Sequence, residues 1–154
     1  MGPTSDAVTS TSTDSDPNLV ARIDAAGVPY WVSLGIVVEE ASEPGRLKLR
    51  LPMQDALGTR RREVMHGGAI ASLIDAAAGG AIIGQFGGDE DYAGQATLDL
   101  NVTFLNAATG DAIAEARILR HSRALAFTQV DVRTEDGTLV ATGRATFSII
   151  RKRS

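Results

Sequence analysis

Met65-His66-Gly67-Gly68-Ala69-Ile70-Ala71-Ser72-Leu73-Ile74-Asp75-Ala76-Ala77-Ala78 is the stretch that decides how this chain folds. Its apolar spacing predicts a helix whose first turn is built from glycines. Ile70, Leu73, Ile74, Ala77 and Ala81 recur at i, i+3, i+4, i+7 and i+11 and form one apolar stripe. The other face holds Ser72, Asp75, Ala76 and Gly79, small residues that let another backbone come close. Between Gly67 and Gly84 the one charged residue is Asp75, so the helix has no polar face to offer water and is expected to be buried. Sheet is expected on one side of it and a second protein surface on the other.

Asp75 is the residue that needs a reason. A carboxylate on a buried helix is costly unless it finds partners or shifts its pKa. It could be structural, bonded to Ser72 or a neighbouring strand or reaching solvent at the helix edge, or it could be catalytic. The His66-Gly67-Gly68 start favours chemistry. Free N–H groups at a helix N-terminus, with the positive end of its dipole, suit an oxygen that becomes negative. Glycines there let a carbonyl approach the backbone without a Cβ in the way. Gly67 and Asp75 lie about 12 Å apart along one helix axis, whereas an oxyanion donor and an attacking carboxylate must both sit roughly 3 Å from the reacting group. A two-fold dimer resolves the conflict, with one subunit's helix start facing the other subunit's Asp75 at two interfacial sites.

His66-Gly67-Gly68, then Leu73, then Asp75 nine positions after the histidine, resembles the signature of the PaaI-like (phenylacetic acid degradation type) hotdog-fold acyl-CoA thioesterases. The resemblance continues through Thr97–Leu105, Arg123–Val132 and Ala141–Thr146, so it covers roughly Val28 to Arg151. It implies an α+β hotdog fold, a curved antiparallel sheet wrapped around a long central helix. The implied activity is hydrolysis of an aryl- or medium/long-chain acyl-CoA, with Asp75 as nucleophile or general base. The Gly67 amide of the facing subunit, with Gly68 beside it, would polarise the carbonyl. His66 would shape the loop, and Thr97 would help hold the water. Ser122 and Arg123 would contact coenzyme A phosphates or pantetheine. Where the family commonly has an Asn or Gln, about six residues before the histidine, this chain has Arg60, whose run Arg60-Arg61-Arg62 could contact acidic groups such as coenzyme A phosphates near the site entrance. The implied assembly is a homo-oligomer, a dimer or a dimer of dimers, with active sites at the subunit interface.

Each of these residues also has a plainer reading. Thr97 could be an ordinary strand threonine on a wet face, Ser122 and Arg123 solvated turn residues, and Arg60-Arg61-Arg62 a solvated charge run. An acyl-carrier-protein thioesterase on the same site and a non-catalytic acyl-CoA-binding hotdog protein are the alternative functions. A hotdog dehydratase wants a catalytic histidine paired with an acid in another arrangement, which is not found here.

Composition narrows the rest. The 154 residues make one domain by length, and a 44% hydrophobic content supports a real core. With no cysteine there is no disulfide framework or thiol nucleophile, and the two histidines, His66 and His121, are far apart, so no metal site is expected. A net charge of −4 gives no support for nucleic-acid binding. One carboxylate, helix-start amides and a hydroxyl require no cofactor. No Gly-x-Ser-x-Gly elbow or nucleotide-binding glycine motif is present.

Residues 1–16 are small and polar and are expected to form a disordered tail, leaving 17–154 as a single hotdog domain. That tail lacks the basic start and apolar core of a secretory signal, and the glycines and central aspartate of the long helix argue against a membrane span, so the expectation is a soluble cytoplasmic protein. A short helix is expected over Pro17–Ala26, stopped by Gly27 and Pro29, with Tyr30 and Trp31 packing over the sheet edge. Strands are expected at Leu34–Glu40 and Arg46–Leu51. After the helix and a flexible acidic turn at Gly87–Asp91, a meander follows over Tyr92–Leu105, Asp111–His121, Ala124–Thr134 and Thr138–Arg151. Strict alternation would put Leu98, Leu100, Val102 and Phe104 on one face and Thr97, Asp99, Asn101 and Thr103 on the other.

Overall fold

The computed structural model describes residues 14–153. Residues 1–13 of the expected tail lie outside the described residues. Ser15 and Asp16 are tied down: the Asp16 N–H donates to Ala41 O at 2.8 Å, and the Ala41 N–H donates to Ser15 Oγ at 3.0 Å. Asp16 then caps α1 (Pro17–Ala25) by accepting from the Asn18 N–H at 2.9 Å.

Pro29 starts a second helix, α2 (Pro29–Leu34), instead of only ending the first. A proline is favourable at the first helical position, and Gly35, at φ 83°, supplies the left-handed residue that ends the helix. The first strand, β1 (Val37–Glu40), therefore begins three residues later than the apolar pattern suggests. It pairs with β2 (Arg46–Leu51), and a loop leads to the long helix α3 (Gly67–Phe86).

Four strands follow: β3 (Tyr92–Phe104), β4 (Ala112–His121), β5 (Leu125–Arg133) and β6 (Leu139–Arg151). They complete one antiparallel sheet in the order β1-β2-β4-β5-β6-β3. The expected meander holds for β4-β5-β6 alone. α3 crosses the concave face after β2, so β3 emerges at the far edge beside β6, and the chain then returns to lay β4 against β2.

Small residues let the helix sit deep in the sheet. Ala112, Ala114 and Ala116 on β4 are fully buried beneath it. A Cβ on Gly80 would stand 2.4 Å from Leu47 Cδ2 of β2. On β6, a Cβ on Gly143 would stand 3.0 Å from Ile74 Cγ2. Much of the other side of α3 is covered by α1 and α2 of the same chain rather than by a second protein. Leu19 and Ile23 approach Gly84, Trp31 approaches Gly79 and Gly80, and Arg22 donates from Nη1 to Gly84 O at 2.9 Å. α3 is the one helix among the described residues long and apolar enough to cross a membrane, and 78% of its apolar window is buried inside this fold.

The acidic turn after α3 is pinned. Arg151 Nη1 holds Asp89 at 3.1 Å and Asp91 at 2.9 Å, and Arg123 Nη2 holds Asp91 at 2.6 Å. Arg123 and Arg151 together keep the Asp91 carboxyl below the usual carboxylate range.

Candidate active site

The site grows from the start of α3. His66 is its N-cap, and its Nδ1 accepts from the Gly68 N–H at 2.8 Å. That bond uses the amide of Gly68, leaving the Gly67 N–H as the helix-start donor with no acceptor among the described residues. Gly68 is therefore not the free donor expected from its place in the sequence, and His66 acts as the cap. A Cβ on Gly67 would sit 3.3 Å from the Phe104 ring, which places this donor beside the end of β3.

Two helical turns on, Asp75 is half-buried rather than enclosed. Ser72 is not its partner: the Ser72 hydroxyl donates to Gly68 O at 2.9 Å and pairs with the Tyr30 hydroxyl at 2.8 Å. Asp75 Oδ1 instead accepts from Thr97 Oγ1 at 2.8 Å. Thr97 thus reaches the carboxylate itself.

A bulge makes this contact possible. Thr97 lies opposite Phe147, whereas Asp99 lies opposite Thr146, so Leu98 is an extra residue in β3. The insertion reverses the in/out parity along the strand. Gln95 and Thr97 before it then share the helix-facing side with Leu100, Val102 and Phe104 after it, because their partners Ile149, Phe147, Ala145, Gly143 and Ala141 all lie on that side. The face assigned to Thr97 by strict alternation is therefore corrected, and the bulge is the reason.

β3 is also an edge. Along its thirteen residues Leu98 and Leu100 remain 60% and 39% exposed, and Phe104 and Leu105 are exposed beyond them. A long edge strand with this much apolar surface is a template for pairing with another strand.

A sequence profile of the thioesterase superfamily matches residues 63–141, the span that holds α3, the bulge and most of the sheet. A putative esterase of Halobacterium salinarum is 37% identical over 127 residues, covering 77% of this chain and 82% of that protein. The chain belongs to the thioesterase superfamily. A medium/long-chain acyl-CoA thioesterase of Salmonella typhimurium is 27% identical over 143 residues, covering 85% of this chain and 92% of its own. Among solved structures, the PaaI protein of the E. coli phenylacetic acid degradation operon superposes with a TM-score of 0.72 at 18% identity, over 84% of this chain and 90% of that one. This likeness establishes the hotdog fold.

Membership in the thioesterase superfamily makes the chain a thioester hydrolase and directs attention to the remaining expected contacts. Arg60 is exposed on the loop before α3, and neither a hydrogen bond nor an ion pair holds it among the described residues, while Arg61 pairs with Glu63 and Arg62 with Asp55. Ser122 is occupied in the β4–β5 turn, where its hydroxyl accepts from the Ala124 and Leu125 N–H groups at 3.2 Å each. Arg123 is bound to Asp91. Within one protomer the structure brings Asp75 and Thr97 together; it places Ser122 and Arg123 in the turn that braces the acidic loop.

Two side chains at the site escaped the sequence reading. Gln95 shares its strand face with Thr97 and donates from Nε2 to Gly79 O at 3.4 Å; Tyr92 donates its hydroxyl to Gln95 Oε1. The one available signal was the two-residue spacing of Gln95 and Thr97, which places both on one face of a strand.

Proposed function

We propose that this chain is an acyl-CoA thioesterase whose two active sites form between subunits of a two-fold dimer. The observation that carries the reading is the Thr97–Asp75 hydrogen bond beside an unpaired edge strand. It fixes one carboxylate oxygen and leaves Oδ2 for chemistry. The Gly67 amide of the same subunit is about 12 Å along the helix and cannot serve the same carbonyl.

Antiparallel pairing of two β3 strands supplies the missing donor. With the two-fold axis at Asn101, and Leu98 bulged out of the count, each Thr97 lies opposite Phe104 of the second copy, about 4.8 Å away across the strand pair. Gly67, packed on Phe104 within its own subunit, then accompanies that residue toward the facing Asp75.

In the general-base route Asp75 Oδ2 takes a proton from water as the oxygen attacks the thioester carbonyl. The oxyanion that forms is held by the facing Gly67 N–H. Its collapse breaks the C–S bond, and the proton on Asp75 passes to the departing thiolate, giving free acid and coenzyme A. In the nucleophilic route Asp75 attacks first, expelling thiolate to leave a mixed anhydride that water hydrolyses. Both routes use the same groups. Arg60, which has no partner among the described residues, offers a cation to the phosphates of coenzyme A.

The test is thiol release from a panel of aryl- and alkyl-CoA esters by the wild type and by Asp75→Asn side by side. Loss of at least about 100-fold in kcat, with the oligomer retained, supports the proposal. Equal turnover by both proteins would make Asp75 structural. Turnover of acyl-carrier-protein substrates alone would reassign the carrier.

A further inference from the structure

The i, i+4 ridge of α3 that starts at Asp75 continues through Gly79 and Ile83 to Gly87. Beyond Asp75 it floors an open groove of about 540 Å³ between α1 and the start of β3. Arg22 and Ala26 line one wall, Tyr92 and Gln95 the other, with Ile83 below. The size falls within the ~300–1,000 Å³ of small-molecule sites.

Gln95 stands where this groove meets the Asp75 side. A Cβ on Gly79 would lie 3.6 Å from Gln95 Nε2 and 3.7 Å from both Phe147 and Trp31, so these three side chains surround a patch of bare helix one turn past Asp75. Both ends of the Gln95 amide are engaged, the nitrogen by Gly79 O and the oxygen by the Tyr92 hydroxyl. Burial pushes the Tyr92 phenol up, so it remains a donor through neutral pH.

We propose that Gln95, latched by Tyr92, sets the length of the acyl group this enzyme accepts by closing the passage over Gly79. The inference rests on the reading of Asp75 as the catalytic carboxylate. One helical turn is about 5.4 Å, which roughly four or five acyl carbons or a single aromatic ring would span. A longer chain must push the amide aside and break both of its hydrogen bonds. With the amide gone, the space at Gly79 joins the groove over Ile83 into one channel, lengthening the acyl site by about another helical turn.

The experiment measures kcat/KM for straight-chain esters from acetyl-CoA to lauroyl-CoA with the wild type, Gln95→Ala and Tyr92→Phe. The wild type is expected to discriminate against chains beyond hexanoyl. Gln95→Ala should raise the decanoyl-to-butyryl ratio by at least about tenfold, and Tyr92→Phe, which frees the latch but keeps the ring, by a smaller factor in the same direction. The same ratio in wild type and Gln95→Ala, or a wild type indifferent to length, overturns the proposal while leaving the thioesterase reading intact. The same esters are also titrated into Asp75→Asn and Asp75→Asn/Gln95→Ala by thermal shift, which reads the length limit without turnover. A longer limit in the double variant supports the gate; identical limits, or binding of no ester, refute it. Absence of turnover by the wild type on every ester is the separate result that removes the acyl-CoA reading.

Discussion

Replacing Leu98 and Leu100 together by serine tests whether the β3 edge is the dimer interface on which the proposed site depends. Leu98 is 60% exposed and Leu100 39%, so together they offer about one whole leucine of apolar surface per subunit. Burying a leucine contributes about 1.5–3 kcal/mol. A two-fold interface uses each patch twice, so the double variant should weaken the dimer by about 3–6 kcal/mol, or ~140- to 20,000-fold in Kd. Both residues are already exposed within the protomer, so the monomer's own stability should change little. Sedimentation velocity over a dilution series gives the Kd, and thiol release per subunit is followed over the same dilutions. The expected result is that activity falls along the same curve as dimer. A monomeric variant with undiminished activity per subunit would refute the interfacial site. A variant dimer with unchanged Kd would show that another surface holds the subunits together.

Thr97→Val should lower kcat by about tenfold or more, since a hydrogen bond to a charged acceptor is worth ~1.5–3 kcal/mol where solvent does not replace it. Thr97→Ser should restore most of the loss, and single-turnover rates for the three proteins check both. Gly84→Ala should stabilise the fold by about 0.5–1 kcal/mol, because its Cβ would find only ordinary contacts at 3.8 and 3.9 Å while the helix gains propensity. Gly80→Ala should lack that gain or destabilise, since the same Cβ would drive into buried Leu47 at 2.4 Å; urea midpoints of the two variants decide it. Asp91→Asn should be less stable than wild type at neutral pH. The Asp91 pKa is depressed first by the Arg123 hydrogen bond and then by Arg151, so the carboxylate contributes stability above the unfolded value near ~4. That contribution is lost as pH falls through the lower folded value. Denaturation curves from pH 7 to strongly acidic buffer should therefore converge for the two proteins at the acid end.

The parts of this molecule that were legible in its sequence are those set by one continuous pattern. α3 announces itself because Ile70, Leu73, Ile74, Ala77 and Ala81 keep helical spacing with no polar face, and the alternating alanines of β4 announce the surface on which it rests. Sheet order was less accessible. β3 alternates in the same way whether its neighbour is β4 or β6, and it is the helix crossing the concave face that sends it to the far edge. α2 was hidden by the double meaning of Pro29, which ends one helix and begins another. The expected donor pair at Gly67 and Gly68 became one donor because a side chain two residues from the second glycine was close enough to cap it.

The site's central contact was hidden for a sharper reason. Side-chain direction in a strand depends on the parity of every residue between two points, and one inserted residue reverses it. Were Leu98 paired in regular alternation instead of bulged out, a strand with Leu100 and Val102 on the helix-facing side would turn Thr97 outward, away from Asp75. With the bulge, the strand satisfies two demands that simple alternation sets against each other: Val102 packed against the core, and a hydroxyl on the carboxylate at Thr97. The same bulge puts Gln95 over Gly79, so the Thr97–Asp75 contact and the proposed length gate depend on one irregularity. Deleting Leu98 should therefore leave both in place, because Thr97 then stands two residues before Leu100 on one face and the partners Phe147, Thr146 and Ala145 follow without a break. The expected outcome is a folded protein that keeps both thiol release and chain-length discrimination. Loss of both in a folded deletion variant would show that the parity of the strand does not by itself hold the site.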